Sequence, residues 1–279
     1  MEKWTKIIRA DRKPWEIDFK EIWDYRDLIY LLVRRDFVAK YKQTILGPLW
    51  FVIQPLLTTV VFTVIFNRIA KISTNQLPPL VFYFSGLTIW NYFSKSLSNI
   101  ANTFRSNAGL FGKVYFPRLV IPISVLISNL MQFVLQLVFL VGFMIFYAIK
   151  GVHFHLTYQI VFLPLWVIFA ASMALGFGLW ISALTTRYRD LSYLLGFGMQ
   201  LWMYATPIAY PLSILHGRLR QIVMLNPMTA VVEGFKLSLL GRGDLSTFSL
   251  FYSLIFTFVI LVTGILIFNK VEQNFMDVV

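Results

Sequence analysis

No aspartate or glutamate occurs between Asp36 and Asp190, and most of the chain's 13 acids lie before Phe37. A water-soluble fold cannot leave so long a stretch without a surface carboxylate, whereas a surface facing lipid needs none. The composition agrees: 58% of the 279 residues are hydrophobic, 17% aromatic and only 14% charged, with a mean hydropathy of +0.69. The sequence is therefore that of an all-α integral membrane protein. A net charge of +12 would suggest nucleic acid in a soluble protein. Here retention of positive loops on one side of a bilayer and attraction to anionic lipid account for it, and no nucleic-acid partner is expected. With no cysteine there are no disulfides, thiolate metal sites or cysteine nucleophiles. Residues Met1 to Asp27 lack the apolar core of a cleavable leader, so none is expected.

Two regions are expected. Residues 1–45 hold cytosolic interface helices, and 46–279 the membrane domain. Trp4–Trp15 mixes Trp4, Ile7 and Ile8 with Lys6, Arg9, Arg12 and Lys13, and Lys3 just before, the pattern of a basic helix lying on a membrane until Pro14 breaks it. From Glu21 to Lys42 apolar residues recur at spacings of three and four, predicting a second helix that approaches the bilayer. Six spans are then predicted: Gly47–Phe66, Pro79–Leu97, Leu119–Ile149, Tyr158–Thr185, Leu191–Tyr210 and Ser246–Phe268. The second is weakened by Lys95, and the third is longer than a bilayer requires. The large majority of the 25 lysines and arginines fall on the side of the N-terminus, which places both termini in the cytosol. On the outer side, the apolar run Gln221–Val232 is too short to span and is interrupted by Asn226-Pro227. Residues 213–242 are read as a re-entrant or interfacial helical hairpin.

The chain carries no phosphate-binding Gly-x4-Gly-Lys-Ser/Thr loop, no midplane acid and no hydrolytic constellation within its spans. The three histidines are spaced wrongly for a metal, and none is expected. Active transport by such a chain needs energy from a partner. The interval 99–118 is basic yet apolar, with Arg105, Lys113 and Arg118 beside Leu110, Phe111, Val114, Tyr115 and Phe116. Two readings stand: a hairpin on lipid with snorkelling cations, or a short helix over about Asn107–Tyr115 docking into a partner. Arg34, Arg35, Lys40 and Lys42 anchor the first span or attract an anionic headgroup. Glu233 has Lys236 at i,i+3 or else caps the hairpin. Ser172 and Gly176 are spaced for close helix approach.

Leu110-Phe111-x-Lys113-Val-Tyr115-Phe116-Pro117-Arg118, Arg34-Arg35-Asp36 with Gly47-Pro48-Leu49-Trp50, Arg187-Tyr-Arg189-Asp190 and Asn226-Pro227-Met228 resemble, in order, motifs of the membrane subunits of polysaccharide-exporting ABC transporters. That resemblance implies a homodimer with two ATPase subunits, moving a polyprenyl-pyrophosphate-linked polysaccharide across a bacterial inner membrane. ATP and Mg would bind the partner, and this chain would hold no cofactor. It implies coupling through Arg105, Asn107, Leu110, Phe111, Lys113, Tyr115, Phe116 and Arg118. It implies an outer gate at Asn226, Pro227 and Glu233. The four cations before the first span become candidates for the lipid pyrophosphate. Aromatic stripes such as Trp166, Phe169, Met173, Phe177 and Trp180 pack against neighbours or line a sugar path; Trp90, Phe177, Trp180, Trp202 and Tyr204 are the pore candidates. An exporter of a small lipid or drug, and a partner-free channel or scaffold, are the alternatives.

Overall fold

The computed structural model describes residues 19–42, 47–111, 116–155, 158–185, 188 and 190–274, and among them all regular structure is helical. The basic stretch Trp4–Trp15 lies outside these residues. The second predicted helix forms in two pieces, α1 (Phe19–Asp24) and α2 (Arg26–Tyr41), parted at Tyr25.

Four helical runs have the length and apolarity to cross a bilayer: Gly47–Ile69, Val120–Ile149, Tyr158–Thr185 and Thr247–Val271. The first consists of α3 (Trp50–Phe62) between a 3₁₀ turn at Gly47–Leu49 and a π-helical turn at Thr63–Ile69. The other two predicted spans form helices but do not meet that standard. Helix α4 (Pro79–Ala101) is long enough, but Asn91, Ser94, Lys95, Ser96, Ser98 and Asn99 dilute its second half. Two short turns, α5 (Thr103–Ser106) and α6 (Ala108–Phe111), follow it before α7 (Val120–Ile149) and α8 (Leu163–Thr185). Helix α9 (Leu191–Ala205) is only 15 residues, because Thr206 is extended and Pro207 has no N–H with which to continue. The predicted break at Asn226-Pro227 is present. It separates α10 (Gly217–Met224) from α11 (Pro227–Leu240) with a bend of 91°. The last helix is α12 (Thr247–Asn274).

The core is organised around α4, which contacts α3, α7, α8, α9 and α11. Phe84, Ile89, Phe93 and Leu97 are fully enclosed. Two of its buried hydroxyls donate to their own helix, Ser85 Oγ to Phe82 O and Thr88 Oγ1 to Phe84 O at 2.8 Å each, so these two are buried without an unpaired donor. Helix α12 lies along α8 at a glycine crossing. A Cβ on Gly176 would stand 2.8 Å from the Leu261 nitrogen, and one on Gly264 2.5 Å from the Gly176 carbonyl oxygen. Of the predicted small pair, Gly176 sits at the contact and Ser172 is half-buried. A second cluster ties the two ends of the chain together. Leu32 of α2 meets Phe104, Phe116, Leu119 and Phe268, with Phe104 and Phe268 stacked at 4.6 Å. A Gly264→Leu substitution forces α8 and α12 apart and is expected to cost ~1–3 kcal/mol, read as a lower unfolding temperature in detergent.

Candidate functional site

The α10–α11 bend is held by one side chain. Asn226 caps α11: its Oδ1 accepts from Met228 N at 3.0 Å and from the Trp202 indole N–H at 2.8 Å. Its Nδ2 donates to the Ala205 carbonyl at 3.2 Å and to Thr206 Oγ1 at 2.9 Å. The amide therefore joins the hairpin to the end of α9. Pro227 occupies the first helical position, where its missing N–H is no loss. One turn further, Glu233 and Lys236 form a buried ion pair at 3.5 Å, as their i,i+3 spacing predicts. Lys236 also donates to the Pro207 carbonyl at 2.6 Å and lies 4.0 Å from the centre of the Phe82 ring. Glu233 Oε2 accepts from Asp244 N at 2.8 Å, so the carboxylate both pairs with Lys236 and closes the turn after α11. Gly234 leaves room for Trp166, whose indole N–H donates to Ser238 Oγ at 2.9 Å. At the rim, Arg242 donates to Asn75 O at 2.6 Å and Gln76 Oε1 at 2.9 Å, and Arg220 pairs with Asp244 at 2.6 Å.

The candidate pore aromatics separate into two groups. Trp90, Phe177 and Trp202 pack into one interior cluster with Phe93, with ring centroids 6.1 Å apart for Trp90–Trp202 and 5.1 Å for both Phe93–Trp202 and Phe177–Trp202. Trp90 is buried, and Trp202 is oriented by its bond to Asn226. Trp180 donates to Thr263 Oγ1 of α12 at 3.0 Å, and Trp166, Phe169 and Met173 are enclosed within the chain. The α8 stripe is a packing face. Tyr204 is exposed, on the same loosely packed helix as exposed Tyr193, Phe197 and Leu201.

A cleft of about 370 Å³ lies between α3, α4 and α9; Gln54, Thr58, Asn91, Ser94, Lys95 and Gln200 line it beside Leu87, Met199, Met203 and the candidate pore aromatic Trp90. These residues come to one face because Gln54/Thr58 and Asn91/Ser94/Lys95 are spaced by three or four on their helices. The Lys95 ammonium stands 5.7 Å from the centre of the Phe51 ring. Among the described residues no carboxylate lines the cleft. It offers amides and hydroxyls that donate and accept, with one cation, which suits a ligand rich in hydroxyl groups. Of the pore candidates, Trp90 lines this cleft; its polar wall was passed over, although the same-face polar pairs inside apolar helices were its signal.

In the loop, Phe116 is 4% exposed and packs into the second core cluster, and Leu110 lies partly buried against it. The expectation of exposed hydrophobes fails at Phe116 because the start of α7 supplies an apolar seat for its ring. Arg105 is exposed, Asn107 donates to Thr103 O at 3.1 Å, and Arg118 is half-buried. Within the range Asn107–Tyr115 expected to be helical, Ala108–Phe111 is α6, and residues 112–115, with Lys113 and Tyr115, lie outside the described residues. On α2, Arg34 is exposed and Arg35 forms a two-pronged contact with Asp36 at 3.0 and 2.8 Å. Lys42 is exposed just beyond α2, whose last turn includes Lys40.

Glu233→Ala leaves Lys236 buried without its counter-charge and is expected to destabilise by ~3–5 kcal/mol. Glu233→Ala with Lys236→Met recovers most of that loss in a thermal-unfolding comparison.

Residues 27–240 match the ABC-2 type transporter family. The O-antigen export system permease protein RfbA of Myxococcus xanthus is 30% identical over 219 residues, covering 78% of this chain and 82% of that protein. Two proteins of the same name from Klebsiella pneumoniae are 30% and 27% identical, each over 90% of this chain and 95% of their own length. The helices, the absence of a nucleotide loop and this match agree: the chain is a multi-pass membrane transport subunit of the ABC-2 type transporter family.

Proposed function

We propose that this chain is the channel-forming subunit of an exporter that moves a lipid-linked, O-antigen-like polysaccharide across the bacterial inner membrane, powered by a separate ABC ATPase. The observation that carries the reading is the α3–α4–α9 cleft, a strip of amides and hydroxyls inside a chain whose relatives are named for O-antigen export. In this reading α4 and α9 cross the membrane with the four apolar helices, giving six spans and cytosolic termini. Two copies pair with two ATPase subunits, which bind the ATP and Mg. The hairpin re-enters the membrane from the outer face and gates the exit, its angle fixed by Asn226, Pro227 and Glu233. Arg34 and Lys42 take up the lipid pyrophosphate with Lys40, while Arg35 is already engaged by Asp36.

Coupling runs through α5, α6 and the segment after them. Phe116 and Leu110 seat this loop on its own chain, so a push on Arg105, Phe111, Lys113 or Tyr115 reaches α7 and α12 through the cluster they share. The reading is tested by isolating the tagged chain in mild detergent and measuring co-purified ATPase and its nucleotide hydrolysis. Phe111→Asp is expected to weaken that association, and a chain that comes down alone overturns the coupling assignment. Asn91→Leu together with Gln200→Leu is expected to lower surface polysaccharide on the order of ten-fold with ATPase association intact. Unchanged export removes the cleft from the polymer's route.

A further inference from the structure

Pro55 sits inside α3 and has no N–H to give the carbonyl of Phe51 four residues earlier. A carbonyl left open in hydrocarbon is costly, and the neighbouring helix meets this one. Gln136 of α7 donates its Nε2 to Phe51 O at 3.0 Å. Gln136 is 1% exposed, and its own Oε1 has no hydrogen-bond partner. Its neighbours Val134, Leu135, Leu137 and Val138 are all apolar. An amide kept half-satisfied among them is explained by the one bond it makes. The turn it holds, Phe51–Pro55, carries Gln54 and Pro55 on the wall of the cleft and leads into Thr58, and the Phe51 ring lies 5.7 Å from the ammonium of Lys95, another residue of that wall.

We infer that Gln136 is a positioning residue for transport: by supplying the hydrogen bond that Pro55 withholds, it sets where α3 bends and so how wide the polar cleft stands. The inference rests on the cleft being the polymer's route. Because the chain has no cysteine, a single Thr58→Cys reports the cleft directly. The readout is its labelling rate with a water-soluble maleimide, in the ATPase-bound complex in lipid nanodiscs. Gln136→Leu is expected to change that rate about five-fold, the shift in population that one hydrogen bond supports, and to lower surface polysaccharide in cells. In a Pro55→Ala background the restored N–H serves Phe51, and adding Gln136→Leu is expected to change neither quantity relative to Pro55→Ala alone. An unchanged rate in Gln136→Leu, or an equal loss in both backgrounds, overturns the inference. If labelling follows this pattern while export does not, the positioning stands and the cleft's role in transport falls. Should Gln136→Leu fail to accumulate in membranes, recovery by Pro55→Ala supports the inference and no recovery overturns it.

Discussion

A backbone N–H or carbonyl that finds no partner in hydrocarbon has no water to fall back on, and this chain interrupts its helices several times within the apolar bundle. Several of these interruptions are met by long polar side chains. Gln136 serves the carbonyl released by Pro55. Lys236 reaches the Pro207 carbonyl beyond the end of α9. Asn226 caps α11 and binds the last carbonyl of α9. Arg242 holds the Asn75 carbonyl, in a turn where Lys71, Asn75 and Gln76 all adopt left-handed backbone. These long polar side chains are the joints of the structure, and the apolar packing fills the space between them.

The division of labour follows. Aromatic residues are scaffold: Trp202 fastens the hairpin to α9, Trp166 fills the space that Gly234 leaves, and the Trp90–Phe93–Phe177–Trp202 cluster ties α4, α8 and α9. The α10–α11 hairpin is held by an ion pair, a fourfold amide and an arginine clasp. The cleft beside it is walled by α3, with its proline and π-turn, and by α9, whose outer face is largely exposed.

Much of this was legible in the sequence. The acid-free stretch gave the membrane class, Asn226-Pro227 the hairpin's bend, and Glu233 with Lys236 its ion pair. The ends of the apolar helices and the way three of them meet were less legible. Helix α9 stops at Ala205 because the restriction before Pro207 acts on Thr206, although the apolar run continues to Tyr210. Phe116 reads as exposed only until α7 folds beneath it. The cleft depends on three helices meeting, and no window along one helix contains it. The Gln136–Phe51 bond joins positions 85 residues apart, beyond any local pattern.

Helix α4 is largely enclosed by protein and among the less apolar, so its place among the others is won from protein contacts more than from lipid solubility. Such a helix partitions poorly by itself during synthesis. In the six-span reading its place depends on α3, α7 and α8, which makes ordered insertion part of the folding of this chain.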